Sequence, residues 1–419
     1  MACRGPTILE LACLRSYTLS IVKYCVVIID GASGWPLAER GEKTCLELAR
    51  TPNLDRMARE GNLGLVQTVP EGMESSSACA CMSILGYDPR VYYKGRSAIE
   101  AASMGIPINK GEEAAFRCNL VSVREGRMWD YSAGHIGDSE AHALVNALNK
   151  SLGSEVIHFY PGVSYRHICK IKGNTETLQA TCTPPHDIPN KPIAEYLPDG
   201  PGSDLLRDLM ARSVEVLRDH PVNKAREARG EPPATMIWLF WSSGEIPKLP
   251  SFKKAYGVSA ALTSGVDLLR GLAKMAEIDN LDIPGVTDGM DNDCTAQVSG
   301  ALKALDNHEL VVIHIEAPDE AAHGGHIDDK IKAIERVDRE VMGRIIAYKK
   351  DGLRVLAMPD HATPIEVRTH VADPVPFLLW GSGLKPASAK AFSEKEAKNA
   401  GIFIRDGYTI MRKLVQGSN

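Results

Sequence analysis

Six of the twelve histidines lie between positions 308 and 370, and acids stand beside several of them. In Val355-Leu-Ala-Met-Pro-Asp-His361 an apolar run delivers a carboxylate and an imidazole side by side, and His370 follows nine residues later. Carboxylate and imidazole together suit a divalent transition metal. An adjacent Asp-His pair means little alone, because chance pairs are frequent. Asp319 and His323 are four apart and so share one face of a helical turn, with His326 three further along. Asp30 stands next to Gly31 at the end of another apolar run, where it reads equally as a ligand or as a helix cap. Ser75, Ser76 and Ser77 precede an apolar stretch. A serine at a helix N-terminus sits among free backbone N–H groups, which also favour a phosphate, and an activated serine oxygen is a nucleophile. The plainer reading is that these serines cap the helix.

The elements that must position these groups are strands. Val26–Ile29, Leu310–Ile315 and Val355–Met358 are continuous apolar runs, as expected of buried parallel strands. Open α/β sheets bind ligands at the carboxyl ends of such strands. Asp30, Asp319 and Asp360-His361 would then meet at one sheet edge. With Ser77, His323 and His370 that makes seven metal-capable groups, enough for two ions. Thr51, Pro52 and Gly61 bracket a helix with Thr51 as its N-cap, and a short strand is expected over 63–69. Phe116–Trp129 reads as a hairpin, 137–152 as a helix, and 156–160 and 165–171 as strands, a compact α/β insert closed by a Pro-rich loop over 183–192. A surface helix over 204–229, a strand over 236–241 and a helix over 263–278 follow.

At 419 residues the chain is long enough for two or three domains. Its net charge of −5 offers no basic surface for nucleic acid or anionic membrane. No apolar run approaches the roughly 20 residues that span a bilayer. The ten cysteines form no CxxC pair and no small secreted framework, so a reduced, cytoplasmic setting is expected. Residues 1–21 read as a disordered extension, their apolar stretch too short and too interrupted for a signal peptide.

Several motifs together resemble one family: Ile29-Asp-Gly31, Thr51-Pro-Asn-Leu-Asp55, Ser83-Ile-Leu-Gly-Tyr-Asp-Pro89, Gly95-Arg96 with Glu100-Ala-Ala102, Ala317-Pro-Asp319 with His323, and Pro359-Asp-His361 with Thr369-His370. From about Val22 to Gly383 the chain resembles the archaeal-type, cofactor-independent phosphoglycerate mutases of the alkaline phosphatase superfamily. The resemblance implies a three-layer α/β/α core over 22–112 and 191–419, with a smaller α/β domain inserted at 113–190 to cover the substrate. It implies a glycolytic enzyme that takes a small phosphorylated metabolite and passes a phosphoryl group between the hydroxyls of glycerate through a phosphoserine. It implies two divalent ions, manganese first, with magnesium or zinc as alternatives, and no 2,3-bisphosphoglycerate. One ion would be held by Asp319, His323 and His370, the other by Asp30, Ser77, Asp360 and His361. Ser77 would be the nucleophile, and Arg96, His135, Arg166 and His186 would face the substrate. The oligomeric state is left open.

Two places depart from the family pattern. Ala78 follows the nucleophile where the family has an acid, and Trp241-Ser-Ser-Gly-Glu245 replaces an Arg-Gly loop, so a gripping arginine is expected to be missing. Segments such as 159–167, 182–187 and 219–224 resemble a subgroup proposed to act as homoserine kinases. That rival needs a phosphoryl donor, and Gly41-Glu-Lys-Thr44 is only a near miss to a P-loop. A phosphomonoesterase, or a metal-binding protein without activity, are the other readings of the same residues.

Overall fold

A computed structural model describes residues 22–348, 352–384, 386 and 389–417. The extension expected at 1–21 lies outside the described residues. In chain order the strands are β1 (Lys23–Ile29), β2 (Asn62–Val66), β3 (Glu113–Arg124), β4 (Arg127–Asp130), β5 (Ile157–Tyr160), β6 (Arg166–Lys172) and β7 (Met236–Ser243). Then come β8 (Ala260–Thr263), β9 (Asp279–Asn280), β10 (Leu310–Ile315), β11 (Leu353–Met358), β12 (Val375–Gly381) and β13 (Phe403–Ile404).

The larger sheet runs β13-β2-β12-β11-β1-β10-β8-β9. Its centre, β10-β1-β11, is parallel, with Ile29 opposite Ile315 and Ile28 opposite Met358. The three strands therefore stop level with one another. Their alternate residues feed two cores. Val27, Ile29, Val311, Ile313, Val355 and Ala357 pack against one layer of helices. Val26, Ile28, Val312, Leu356 and Met358 pack against the other. Burial on both faces is why these strands are apolar without interruption. This is the three-layer α/β/α arrangement that the resemblance implied.

The second sheet is antiparallel, β4-β3-β6-β5, with β7 on the free side of β3. Its core joins Phe116, Phe159 and Trp238 to Leu206, Leu209 and Met210 of the helix Ser203–Arg218. This unit thus runs on to Ser243, past the edge expected at 190, because β3 needs β7 to complete its ladder. The helix expected over 204–229 is two, Ser203–Arg218 and Pro221–Ala228, since Pro221 cannot continue the first. The helix expected over 263–278 is shorter, Asp267–Met275, because Ala260–Thr263 is drawn into the sheet beside β10. Among the described residues no helix is long and apolar enough to cross a membrane.

Candidate active site and metal centre

The ends of β1, β10 and β11 carry Asp30, Glu316 and Asp360-His361 to one edge. Asp319 follows on the first turn of the helix Ala317–His323. Gly31 adopts a φ of +58°, and a Cβ there would collide with the Asp319 carboxylate. Only glycine lets the turn after β1 pass this close. Across the edge the helix Ser77–Ile84 points its N-terminus inward. Ser76 is its cap, accepting from the Cys79 amide at 3.5 Å, so the Ser77 hydroxyl is not used for capping. Ser77 Oγ lies 3.1 Å from His361 Nε2.

Proton bookkeeping around His361 tests whether a cation fits. The Thr363 hydroxyl donates to Asp319 Oδ1 at 2.5 Å, so its oxygen accepts from His361 Nδ1 at 3.1 Å. His361 Nε2 then presents a lone pair. That lone pair accepts from the Ser77 hydroxyl, and it also faces the acceptors Asp360 Oδ2 at 3.2 Å and Asp30 Oδ1 at 3.5 Å. Asp30 is fully buried, and its Oδ1 has no hydrogen-bond partner among the described residues. Burial, then the neighbouring Asp360 and Asp319, pushes the Asp30 carboxyl well above the usual range. A buried convergence of acceptors is what a divalent cation relieves.

A second set lies alongside. His323 Nε2 is 3.0 Å from Asp319 Oδ2 and 3.0 Å from His370 Nε2, and His370 Nε2 is 3.5 Å from Asp319 Oδ2. His323 Nδ1 faces the Arg368 carbonyl at 2.8 Å, so its Nε2 also offers a lone pair when neutral. Two ring nitrogens this close beside a carboxylate call for positive charge among them. His361 stands between the sets, its ring 4.1 Å from that of His370. All seven expected groups are thus gathered at one edge. His326 is not with them: it is exposed at the start of the next helix.

Some neighbours were not anticipated from sequence. His314 Nε2 lies 2.7 Å from Asp30 Oδ2, its Nδ1 lies 3.0 Å from the Ser264 hydroxyl, and Glu316 approaches at 3.5 Å. A histidine inside an otherwise apolar strand was the available signal. Cys81, one turn beyond Ser77, reaches Asp360 Oδ2 at 3.5 Å.

Of the other four expected residues, Arg96 and Arg166 line one pocket. Arg96 binds Glu100 at 3.0 Å and stacks on Trp241, 4.4 Å from the ring centre. Trp241 itself has a φ of +47°, unfavourable for a bulky residue and held by the Ser97 hydroxyl on its carbonyl. His186 packs on the same indole at 5.4 Å. Its side chain is 39% exposed, yet enclosure, then Arg96 and Arg117, holds its imidazole below the usual range. His135 is exposed with its ring 5.8 Å from Tyr165. Arg166 approaches Asp288 at 3.6 Å. In the strand beside that loop, Arg117 of β3 pairs across the ladder with Phe240 and is buried against Glu100 and Asn119.

A family model described as 2,3-bisphosphoglycerate-independent phosphoglycerate mutase matches residues 58–223. A protein of that name from Methanothrix thermoacetophila is 47% identical over 399 residues, covering 94% of this chain and 100% of the relative. A probable 2,3-bisphosphoglycerate-independent phosphoglycerate mutase from Geobacter sulfurreducens is 42% identical over 401 residues, 94% and 100% of the two chains. Among solved structures, the PH0037 protein of Pyrococcus horikoshii superposes with a TM-score of 0.77 at 28% identity, over 95% of this chain and 98% of that one.

Proposed function

The chain belongs to the 2,3-bisphosphoglycerate-independent phosphoglycerate mutases, and on that premise we propose that Ser77 carries the phosphoryl group between the 2- and 3-hydroxyls of glycerate. One observation carries this reading: a serine hydroxyl at a helix N-terminus, not used as the cap, 3.1 Å from His361 and among convergent buried acceptors. Asp30, Asp360 and His361 with Ser77 would hold one divalent ion, and Asp319, His323 and His370 the other. We assign manganese, which such carboxylate and imidazole donors accept. Bound there, the ions would supply Lewis acidity to the serine hydroxyl and the phosphoryl oxygens.

The chain's own residues do the rest. The Ser77 Oγ–phosphorus bond forms as the bond from phosphorus to the glycerate oxygen breaks, and the serine proton ends on the freed hydroxyl. The second half reverses this at the other hydroxyl. Arg96 and Arg166 suit a substrate with two anionic groups, since guanidinium binds carboxylate or phosphate through paired N–H groups. His135 and His186 of the antiparallel unit would contact the glycerate hydroxyls. A cleft closed between the two units keeps water from the phosphoserine.

The test is a paired assay on manganese-loaded protein. One mixture holds 3-phosphoglycerate without nucleotide, the other homoserine with ATP. Appearance of 2-phosphoglycerate in the first is the expected result. Phosphohomoserine alone would replace the mutase with a kinase on the same serine. Inorganic phosphate without isomerisation would make the enzyme a phosphomonoesterase.

A further inference from the structure

One buried cation has no part in the chemistry described above. Lys330 lies on the helix Ile327–Arg336, which follows the turn bearing Asp319 and His323, and it is 0% exposed. Its Nζ donates to the Ser33 carbonyl at 3.0 Å and to the Thr363 carbonyl at 2.8 Å. Both partners are backbone oxygens rather than carboxylates. A buried ammonium is costly unless its partners offset the lost hydration. Burial accordingly holds the Lys330 ammonium below its usual pKa range. A methionine would fill similar space without that cost, so packing alone does not account for a lysine here.

The two carbonyls belong to the two loops that carry one ligand set. Ser33 stands three residues after Asp30, and Thr363 two residues after His361. The Thr363 amide donates to the same Ser33 carbonyl at 3.0 Å, and the Gly31 amide donates to Asp360 Oδ1 at 3.1 Å. The loops thus run against each other, and Lys330 clasps the pair from a third segment. Glu394 holds the first loop from another side, accepting from the Ser33 hydroxyl at 2.9 Å and the Gly34 amide at 3.2 Å. Thr363 is also the residue whose hydroxyl spans Asp319 and His361. Fixing its carbonyl fixes the backbone from which that hydroxyl projects.

We propose that Lys330 is a positioning residue of the metal centre. By gripping Ser33 and Thr363 it sets the separation of Asp30 from the Asp360-His361 pair, and with it the affinity for the ion those residues hold. Asp319 and His323 of the other set ride on their own helical turn, Ala317–His323, so that ion depends on Lys330 less. The inference rests on the ligand sets proposed above and goes beyond them, since Lys330 belongs to neither.

The test is stepwise manganese binding to metal-free protein, followed by competition with a chelating dye and by the free-ion signal in electron paramagnetic resonance. Lys330→Met, of similar reach but without a donor, should weaken one of the two constants on the order of 10- to 100-fold and leave the other near wild type. Lys330→Gln, with two N–H donors on a shorter stem, should fall between the Met variant and wild type. If the Met variant does not fold, the Gln variant carries the test, with the same selective loss at smaller size. Both constants falling together, as a general loosening of the fold would produce, or neither changing, would overturn the assignment. A wild type that takes up fewer than two ions would sink the ligand sets themselves, and this inference with them. Two ions in the wild type with unchanged constants in the variants would sink the role of Lys330 alone.

Discussion

Thr363 shows how much one side chain settles at this site. Its hydroxyl joins Asp319 of one ligand set to His361 of the other, and so fixes which nitrogen of His361 faces Ser77. Residues that orient a metal-binding histidine in this way typically matter 10- to 100-fold for metal affinity. Thr363→Val, nearly isosteric, should therefore weaken manganese binding by about that factor, measured by competition with a chelating dye. Ser77→Ala has the opposite signature. It should reduce phosphoryl transfer at least about a thousandfold while metal content by elemental analysis and melting temperature stay near wild type. Retained activity would remove Ser77 from the reaction. Loss of metal alongside activity would mean that Asp30, Asp360 and His361 do not hold the ion without Ser77. The resemblance singled out Ser77 among three adjacent serines; the fold separates Ser76, which caps the helix, from Ser77, whose hydroxyl turns to His361.

Among the elements, the helix Pro52–Glu60 was expected to be capped by Thr51. Thr51 does stand at its N-cap, but makes no capping hydrogen bond. Asp338, nearly three hundred residues away in sequence, accepts from the Leu54 amide at 2.7 Å and the Asn53 amide at 3.2 Å. Asp338→Ala should thus cost about 1–2 kcal/mol in urea unfolding, and Thr51→Ala within about 0.5 kcal/mol. The reverse order would return the cap to Thr51. A local rule assigned the position correctly and the partner wrongly, because a helix end accepts any suitably placed carboxylate. The same limit applies to β7. Its apolar run marked a strand, but nothing local said whether it would join the large sheet or pair with β3.

For the whole molecule, folding buries ionisable groups that the unfolded chain would expose. His167 has a folded value of about 3 against an ordinary 6.5. Between those values the unfolded chain binds a proton that the folded chain does not. Stability is therefore complete above pH 6.5 and falls with pH toward 3, by up to about 1.4 kcal/mol per unit from this residue. Urea midpoints taken from pH 7 to 4.5 should decline, and His167→Phe should decline less steeply. Equal slopes would mean that the ring protonates in place. The sequence alone determined the apolar strands, the acids and histidines at their ends, and hence the class of chemistry, because each depends on neighbours a few residues away. The level ends of β10, β1 and β11, the roles of His314 and Thr363, the burial of Arg117 against Glu100 and the place of Lys330 between two loops were decided by tertiary structure. They depend on register between strands and on which groups meet after folding, and neither is encoded at any fixed spacing along the chain.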